Sequence, residues 1–438
     1  MLALSVPMLF LHVRYQPSVS LPLGATLKLQ DCALLAVAVF AASSAVRSGL
    51  GPLRAARPVW IAAVLLLAWI VAATFYPLLS APAYAWRTHV VTAAEFGLYG
   101  ILAPAVPLLV RRRADALLVL GTLVAWTSVA AAIGVLQWLG WNIAGAWTQG
   151  RRQPSLLGPH DLAALGGMAL IAGVVGLLWQ NSAPAIRRGS WLAVVAGTVG
   201  FVLGGATAGI VGLVPALLVA AGAAARHRVL HRRTLALALT TAVVASVGVL
   251  ALRAGDFGQF LRFVGIRQAA TRTQTDIQTY SQRTLLAYIG GRIWLHHPVV
   301  GVGWQGSTED AAVKPELPAA HRRFPSLAPL AFPGPGHEYG VQVLYLQALA
   351  DLGAIGFVLT LAWLGVPAVT GARAALRAPP ASAWIATLGV CWLVLAMGLW
   401  TALGFVAGVP LDALTWLALG AVAAGSAAAL PAASGRMA

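Results

Sequence analysis

Between residues 253 and 338 the chain carries Arg253, Arg262, Arg267, Arg272, Arg283, Arg292, Arg322 and Arg323, and the run ends at His337. Guanidinium groups hold phosphate oxygens in fixed fork geometry and keep their charge, while histidine takes up a proton near neutral pH. Gathered beside apolar segments, these residue types suit an anion presented at a membrane surface, with a proton acceptor next to it. Pro333-Gly334-Pro335-Gly336 precedes His337-Glu338 and prevents helix up to that point. His337 is therefore expected at a helix N-terminus, where exposed N–H groups disfavour an imidazolium and favour a bound anion. A neutral histidine there suits general-base work. The plainer alternative is a histidine at the water interface.

Arg283 and Arg292 lie nine residues apart in a stretch that reads as helix up to His297, where Pro298 stops it. At ~100° per residue they point to opposite sides, so one of them at most faces a given cavity. Arg292 shares its stripe with Tyr288 and His296, and Arg283 lines up with Trp294. An amphipathic helix lying on the membrane with snorkelling arginines would show the same pattern. A second constellation runs from Arg151-Arg152-Gln153 to Pro159-His160-Asp161. A third has Arg87 and His89 ahead of Glu95, an ionisable group about two turns deeper whose expected partner is an arginine of the same face. Glu309-Asp310 stand alone, and no carboxylate pair, phosphate-binding glycine loop or serine elbow appears. The expected chemistry uses no metal and no cofactor and rests on arginine electrostatics.

The elements that must position these groups are almost all apolar. Of 438 residues 59% are hydrophobic and 9% charged, with mean hydropathy +0.82, against roughly a quarter charged in a soluble protein. Apolar runs fall at 1–13, 31–46, 58–76, 91–110, 115–139, 159–179, 191–205, 208–225, 234–252, 339–368, 383–406 and 411–430. The class is an all-α polytopic membrane protein with about twelve transmembrane helices. One large helical loop stands between spans nine and ten, dividing the chain into 1–252, 253–338 and 339–438. The run Met1–Val13 has no preceding basic region and no cleavage signature, so it reads as a first span. Gly204-Gly205-Ala206-Thr207-Ala208-Gly209 reads as a tight hairpin between two short spans.

Arg47, Arg54 and Arg57, Arg111 to Arg113, Arg187 and Arg188, Arg226 to Arg233, and Arg373 and Arg377 occupy alternate connections. The positive-inside rule places these, with both termini, in the cytoplasm. The 253–338 loop, Arg87 and Arg151-Arg152 then lie on the opposite face, against the charge bias, which calls for an anionic ligand or else reflects the indifference of long loops to charge; indifference covers 253–338 well and the short 140–158 loop poorly. The net charge of +17 does not indicate nucleic acid, because the arginines cluster between apolar runs instead of interleaving with aromatics on a soluble face. Cys32 and Cys391 both lie in apolar runs and offer no metal spacing.

Three blocks resemble the O-antigen ligase family, which shares its core with O-antigen polymerases of the Wzy type. The first is Arg283 with Arg292-Ile293-Trp294 and His297-Pro298-Val299-Val300-Gly301-Val302-Gly303. The second is Tyr345-Leu346-Gln347-Ala348-Leu349-Ala350-Asp351-Leu352-Gly353-Ala354-Ile355-Gly356-Phe357, and the third runs from Arg152 to Ala163, with His160 where the family usually has asparagine. Two further departures are Gln342, where a histidine often stands, and Thr207-Ala208-Gly209, where Ser-Arg-Gly is frequent.

The resemblance implies a metal-independent glycosyltransferase at the periplasmic face of the bacterial inner membrane. It would move a glycan from undecaprenyl diphosphate to a lipid A-core acceptor with inversion. On that reading His337 is the base. Arg283, Arg292 and Arg267, then Arg152, Arg87 and His160, hold the diphosphate, with membrane lipids the only other partner. The alternatives are a polymerase, which differs in acceptor, and a lipid or solute transporter gathering an anionic substrate.

Overall fold

The computed structural model describes residues 1–20, 26–79, 84, 86–179, 183–263, 279–334, 340–405 and 410–429. The chain is an all-α polytopic membrane protein with eleven helices among the described residues long and apolar enough to cross a bilayer. The only sheet described is a two-stranded antiparallel ribbon, β1 (Ser18–Ser20) and β2 (Thr26–Lys28), with Ser18 opposite Lys28. Helix α1 covers Leu2–Leu9. Eight residues rise roughly 12 Å and fall short of the hydrocarbon thickness, so the apolar run 1–13 is not by itself a span.

The spanning helices are α2 (Leu29–Ser48), α3 (Arg57–Phe75), the pair α4 (Trp86–Tyr99) and α5 (Leu102–Leu109), α6 (Arg113–Trp138), α7 (Pro159–Trp179), α8 (Pro184–Gly204), α9 (Thr207–Arg226) and α10 (Arg232–Leu252). After the large loop come α14 (Leu344–Arg377), α15 (Pro380–Leu399) and α16 (Pro410–Ala429). Their starts follow from local chemistry. Asp115 accepts from the Arg112 N–H at 2.9 Å to cap α6, Asp31 accepts from the Lys28 N–H at 2.8 Å to cap α2, and prolines open α3, α8 and α15.

The centre of the bundle is α16, α7 and α15; 89% of the α16 window is buried, against 22% for the peripheral α10. Small residues permit this. A Cβ on Gly166 of α7 would sit 2.5 Å from the Phe201 nitrogen of α8, and one on Gly197 would sit 2.5 Å from the Leu170 nitrogen. The two backbones are therefore in contact, which only glycine allows. The hairpin after Gly204 is a single step: Gly205 takes the left-handed conformation (φ 61°) and α9 begins at Thr207. Both flanking helices are full length, because α8 extends back through Arg187 and Arg188, which hide its start from hydropathy.

The large loop holds α11 (Ala254–Phe263), α12 (Thr279–His296) and α13 (Leu317–Arg323). Leu285, Ile289 and Ile293 recur every four residues on α12 and bury against Ala320, Leu327, Ala331, Phe332 and Ala350 of α14. Helix α12 thus builds the core of a small extramembrane unit, with its apolar face packed on protein. The floating amphipathic alternative does not describe it.

Candidate functional site

Two stretches lock the loop to the bundle. Helix α14 is broken at Gly353, whose backbone (φ 67°, ψ −169°) is open to glycine alone. Across the break, Val302 N–H donates to the Ala350 carbonyl at 3.0 Å and Gly303 N–H to the Asp351 carbonyl at 2.8 Å. In return, Ala354 N–H donates to the Pro298 carbonyl at 2.9 Å and Ile355 N–H to the Val299 carbonyl at 3.3 Å. Residues 298–303 therefore satisfy the groups that the break orphans. The buried Asp351 accepts from the Ser307 N–H and from Gln347 Nε2, both at 2.8 Å, and Gln347 Oε1 accepts from the Phe405 N–H at 2.6 Å. This frame sets where α12 stands over the bundle. Asp310 and Glu309 do not stand alone, as the sequence suggests: Lys314 pairs with Asp310 at 2.6 Å, and Glu309 meets His89 Nε2 at 2.6 Å.

At the same end of the bundle three guanidinium groups converge. The Gln153 N–H donates to the Leu203 carbonyl at 2.9 Å, and its side chain accepts from the Trp147 N–H at 2.9 Å. These bonds pin the 147–153 loop to the α8–α9 hairpin. Arg152 consequently packs on Gly205, where an added Cβ would lie 3.0 Å from the Arg152 Cβ, and its guanidinium lies over the Trp147 ring at 4.8 Å. Arg253, buried at the end of α10, reaches the Gly205 carbonyl at 3.4 Å, lies over Tyr280 at 5.2 Å and pairs with Asp256 at 2.5 Å. Arg283 of α12 donates from Nε to Gln342 Oε1 at 3.0 Å, and its Nη2 lies 3.4 Å from His160 Nε2 on the first turn of α7.

Neither Arg152 nor Arg283 has an ion-pair partner among the described residues. Burial pulls the Arg152 guanidinium down to about 10, with the Arg253 and Arg283 charges adding to the effect. Burial, then Arg253, lowers Arg283 as well. Three cations beside one carboxylate, at a helix N-terminus, hold a net positive potential that an anion with several oxygens would relieve. Because Arg283 can only donate, His160 Nε2 is the acceptor, the ring proton sits on Nδ1, and the imidazole is neutral.

Of the residues singled out in the sequence, the structure brings together Arg283, Arg152 and His160. Arg292 lies elsewhere: its Nε binds Glu316 at 2.5 Å, and His296 holds the same carboxylate at 2.6 Å. The Glu316 carboxylate raises the Arg292 guanidinium above its ordinary value. The helical half-turn between Arg283 and Arg292 accounts for this separation. Arg87 is exposed beside Trp86, its guanidinium 5.7 Å from that ring, and does not reach the cluster. Glu95 pairs with Lys28 at 3.1 Å and not with an arginine, because β2 and the start of α2 lie against α4. His337 and Arg267 lie outside the described residues. Arg253 and Gln342 join the site without having been preferred from sequence. Gln342 occupied a position of family interest, and Arg253 directly follows a span on the wrong face for its charge.

No family model and no curated protein matches this chain.

Proposed function

We propose that this protein is a membrane glycosyltransferase of the O-antigen ligase type, moving a glycan from undecaprenyl diphosphate onto a lipid A-core sugar. The reading places the reaction at the periplasmic face of the bacterial inner membrane. The observation that supports it most is the convergence of Arg152, Arg253 and Arg283 around one acidic partner beside a neutral imidazole. Arginine forks match the non-bridging oxygens of a diphosphate, and partial exclusion of water strengthens each contact.

In the proposed step an acceptor hydroxyl oxygen attacks the anomeric carbon. The new C–O bond forms as the bond from that carbon to the diphosphate oxygen breaks, inverting the centre. The electron pair leaves on undecaprenyl diphosphate, whose growing charge the arginines hold. The hydroxyl proton passes to an imidazole. His337 keeps this role in the proposal, five residues before Gln342 in the chain; His160 is the described imidazole at the cluster.

The test uses purified protein in nanodiscs with an undecaprenyl-diphosphate-linked glycan and a lipid A-core acceptor, read on lipopolysaccharide gels. A glycan ladder on core lipid is the expected product. It should be lost in Arg283→Ala and in His337→Ala, with the folded protein retained. In sealed proteoliposomes, movement of the donor across the bilayer with no glycan transfer would replace this reading by a transporter. Elongation of the lipid-linked glycan itself would replace it by a polymerase.

A further inference from the structure

A cavity of about 110 Å³ that the diphosphate reading leaves unused is lined in part by Trp147, the ring on which Arg152 packs. It is lined by His12, Arg14, Tyr15, Trp147, Ser155 and Gly158 among others, and sits next to the first turn of α7 that carries His160. The chemistry is that of a carbohydrate site: flat apolar ring faces for the C–H side of a sugar, with charged and neutral donors at the rim for its oxygens.

The parts are held in place. Tyr15 donates to the Ala144 carbonyl, the His12 N–H donates to the Leu156 carbonyl at 2.9 Å, and Ser155 Oγ donates to the Ala130 carbonyl at 2.7 Å. Ser155 adopts the left-handed conformation (φ 52°), stabilised by its N–H bond to Gln137 Oε1 at 2.8 Å. The Arg14 guanidinium lies over Tyr15 at 4.8 Å and against Gly145, where any Cβ would collide with it. Arg14 has no ion-pair partner among the described residues. Burial and the adjacent Arg14 charge hold His12 below its ordinary value. Its Nδ1 accepts from the Arg14 N–H at 3.2 Å, so the neutral ring presents Nε2–H as a donor. Trp147 carries Arg152 over its ring and is still 43% exposed.

We propose that this cavity receives the sugar ring attached directly to the diphosphate, stacked on Trp147 and hydrogen-bonded by Arg14 and His12. The inference rests on the diphosphate reading of the arginine cluster and adds the subsite that recognises the transferred group. Trp147 and Arg152 are the joint: one guanidinium packs on the indole that lines the sugar cavity and also borders the anion cluster. A cavity of about 110 Å³ admits one ring at most, so recognition concerns the linking sugar and leaves the rest of the glycan free to vary.

The experiment compares two probes on purified full-length protein: undecaprenyl diphosphate, and undecaprenyl diphosphate bearing one N-acetylhexosamine. The quantity read is the ratio of their dissociation constants. Wild type should bind the sugar-bearing probe more tightly. Arg14→Gln, at an exposed position, should lower that preference about tenfold, the loss of one hydrogen bond from a charged donor, with binding of the bare diphosphate unchanged. Trp147→Ala should abolish the preference and Trp147→Phe should restore most of it. An unchanged ratio in all three variants overturns the sugar subsite while leaving the diphosphate reading intact. Failure of wild type to bind undecaprenyl diphosphate at all overturns the diphosphate reading and the subsite together.

Discussion

Arg152 offers a sharp test, because the structure gives it opposite effects on stability and on ligand binding. Its guanidinium is held at about 10, well below its ordinary value. A base whose folded value lies below its unfolded value weighs against folding at every pH beneath the folded value, so the penalty is fully present at neutral pH. At 1.36 kcal/mol per pH unit this is about 3 kcal/mol, and partial solvent contact reduces it to about 2 kcal/mol. Replacing Arg152 by methionine keeps the apolar stem and removes the penalty, at the loss of about 0.5–1 kcal/mol of cation–π attraction to Trp147. The net expectation for Arg152→Met is a gain of about 1 kcal/mol and an apparent melting temperature higher by about 1 °C. The assay is tryptophan fluorescence during thermal unfolding in detergent, with and without undecaprenyl diphosphate. Wild type should be stabilised by the lipid, whereas the variant should start higher and gain little. A variant that melts lower than wild type and keeps the full lipid-induced shift would refute the reasoning, since Arg152 would then be a structural residue and not an anion ligand.

Other outcomes follow from the same geometry. Arg283→Ala should abolish glycan transfer with little change in melting temperature. Arg292→Ala should lower the melting temperature, because Glu316 loses its guanidinium partner, and should retain most transfer; equal loss of activity in both would contradict the separation of the two arginines. Gly353→Ala forces a Cβ to within 2.2 Å of the Val299 carbonyl oxygen in a backbone region that costs of order 1–3 kcal/mol even without a clash. Expression of folded protein should collapse, while Gly365→Ala, which meets nothing within 4 Å, should be neutral or stabilising by fluorescence-detected size exclusion. Gln342→Ala should loosen Arg283 and raise the KM for donor more than it lowers kcat, as expected for a positioning residue.

The class of fold was readable from hydropathy because a spanning helix must hide its backbone in a long apolar run, and such runs dominate this chain. Boundaries were less readable where charge sits inside a helix. Arg187 and Arg188 concealed the first turns of α8, and Trp86 to Val90 those of α4. The break in α14 was invisible to hydropathy, since the mean hydropathy stays high on both sides of Gly353 and its conformation is fixed by residues some fifty positions earlier. At the site, the half-turn spacing of Arg283 and Arg292 separated the two correctly, since helical phase is a local property. The partnership of Arg152 with Arg253 was not local. It depends on a hairpin drawing two loops together, and sequence offered only the hint that both arginines lay on the wrong face for their charge. Glu95 found a lysine because the short ribbon at β2 turns Lys28 over α4, a contact no periodicity encodes.

The interrupted α14 also bears on how the protein is made. The break leaves carbonyls at Ala350 and Asp351 on one side and amides at Ala354 and Ile355 on the other without partners until residues 298–303 dock there, and bare peptide groups are unwelcome in lipid. Stable insertion of this segment and folding of the preceding extramembrane unit are therefore a single event. The C-terminal piece truncated after residue 304 and expressed from there onward should leave α14 poorly inserted and prone to degradation.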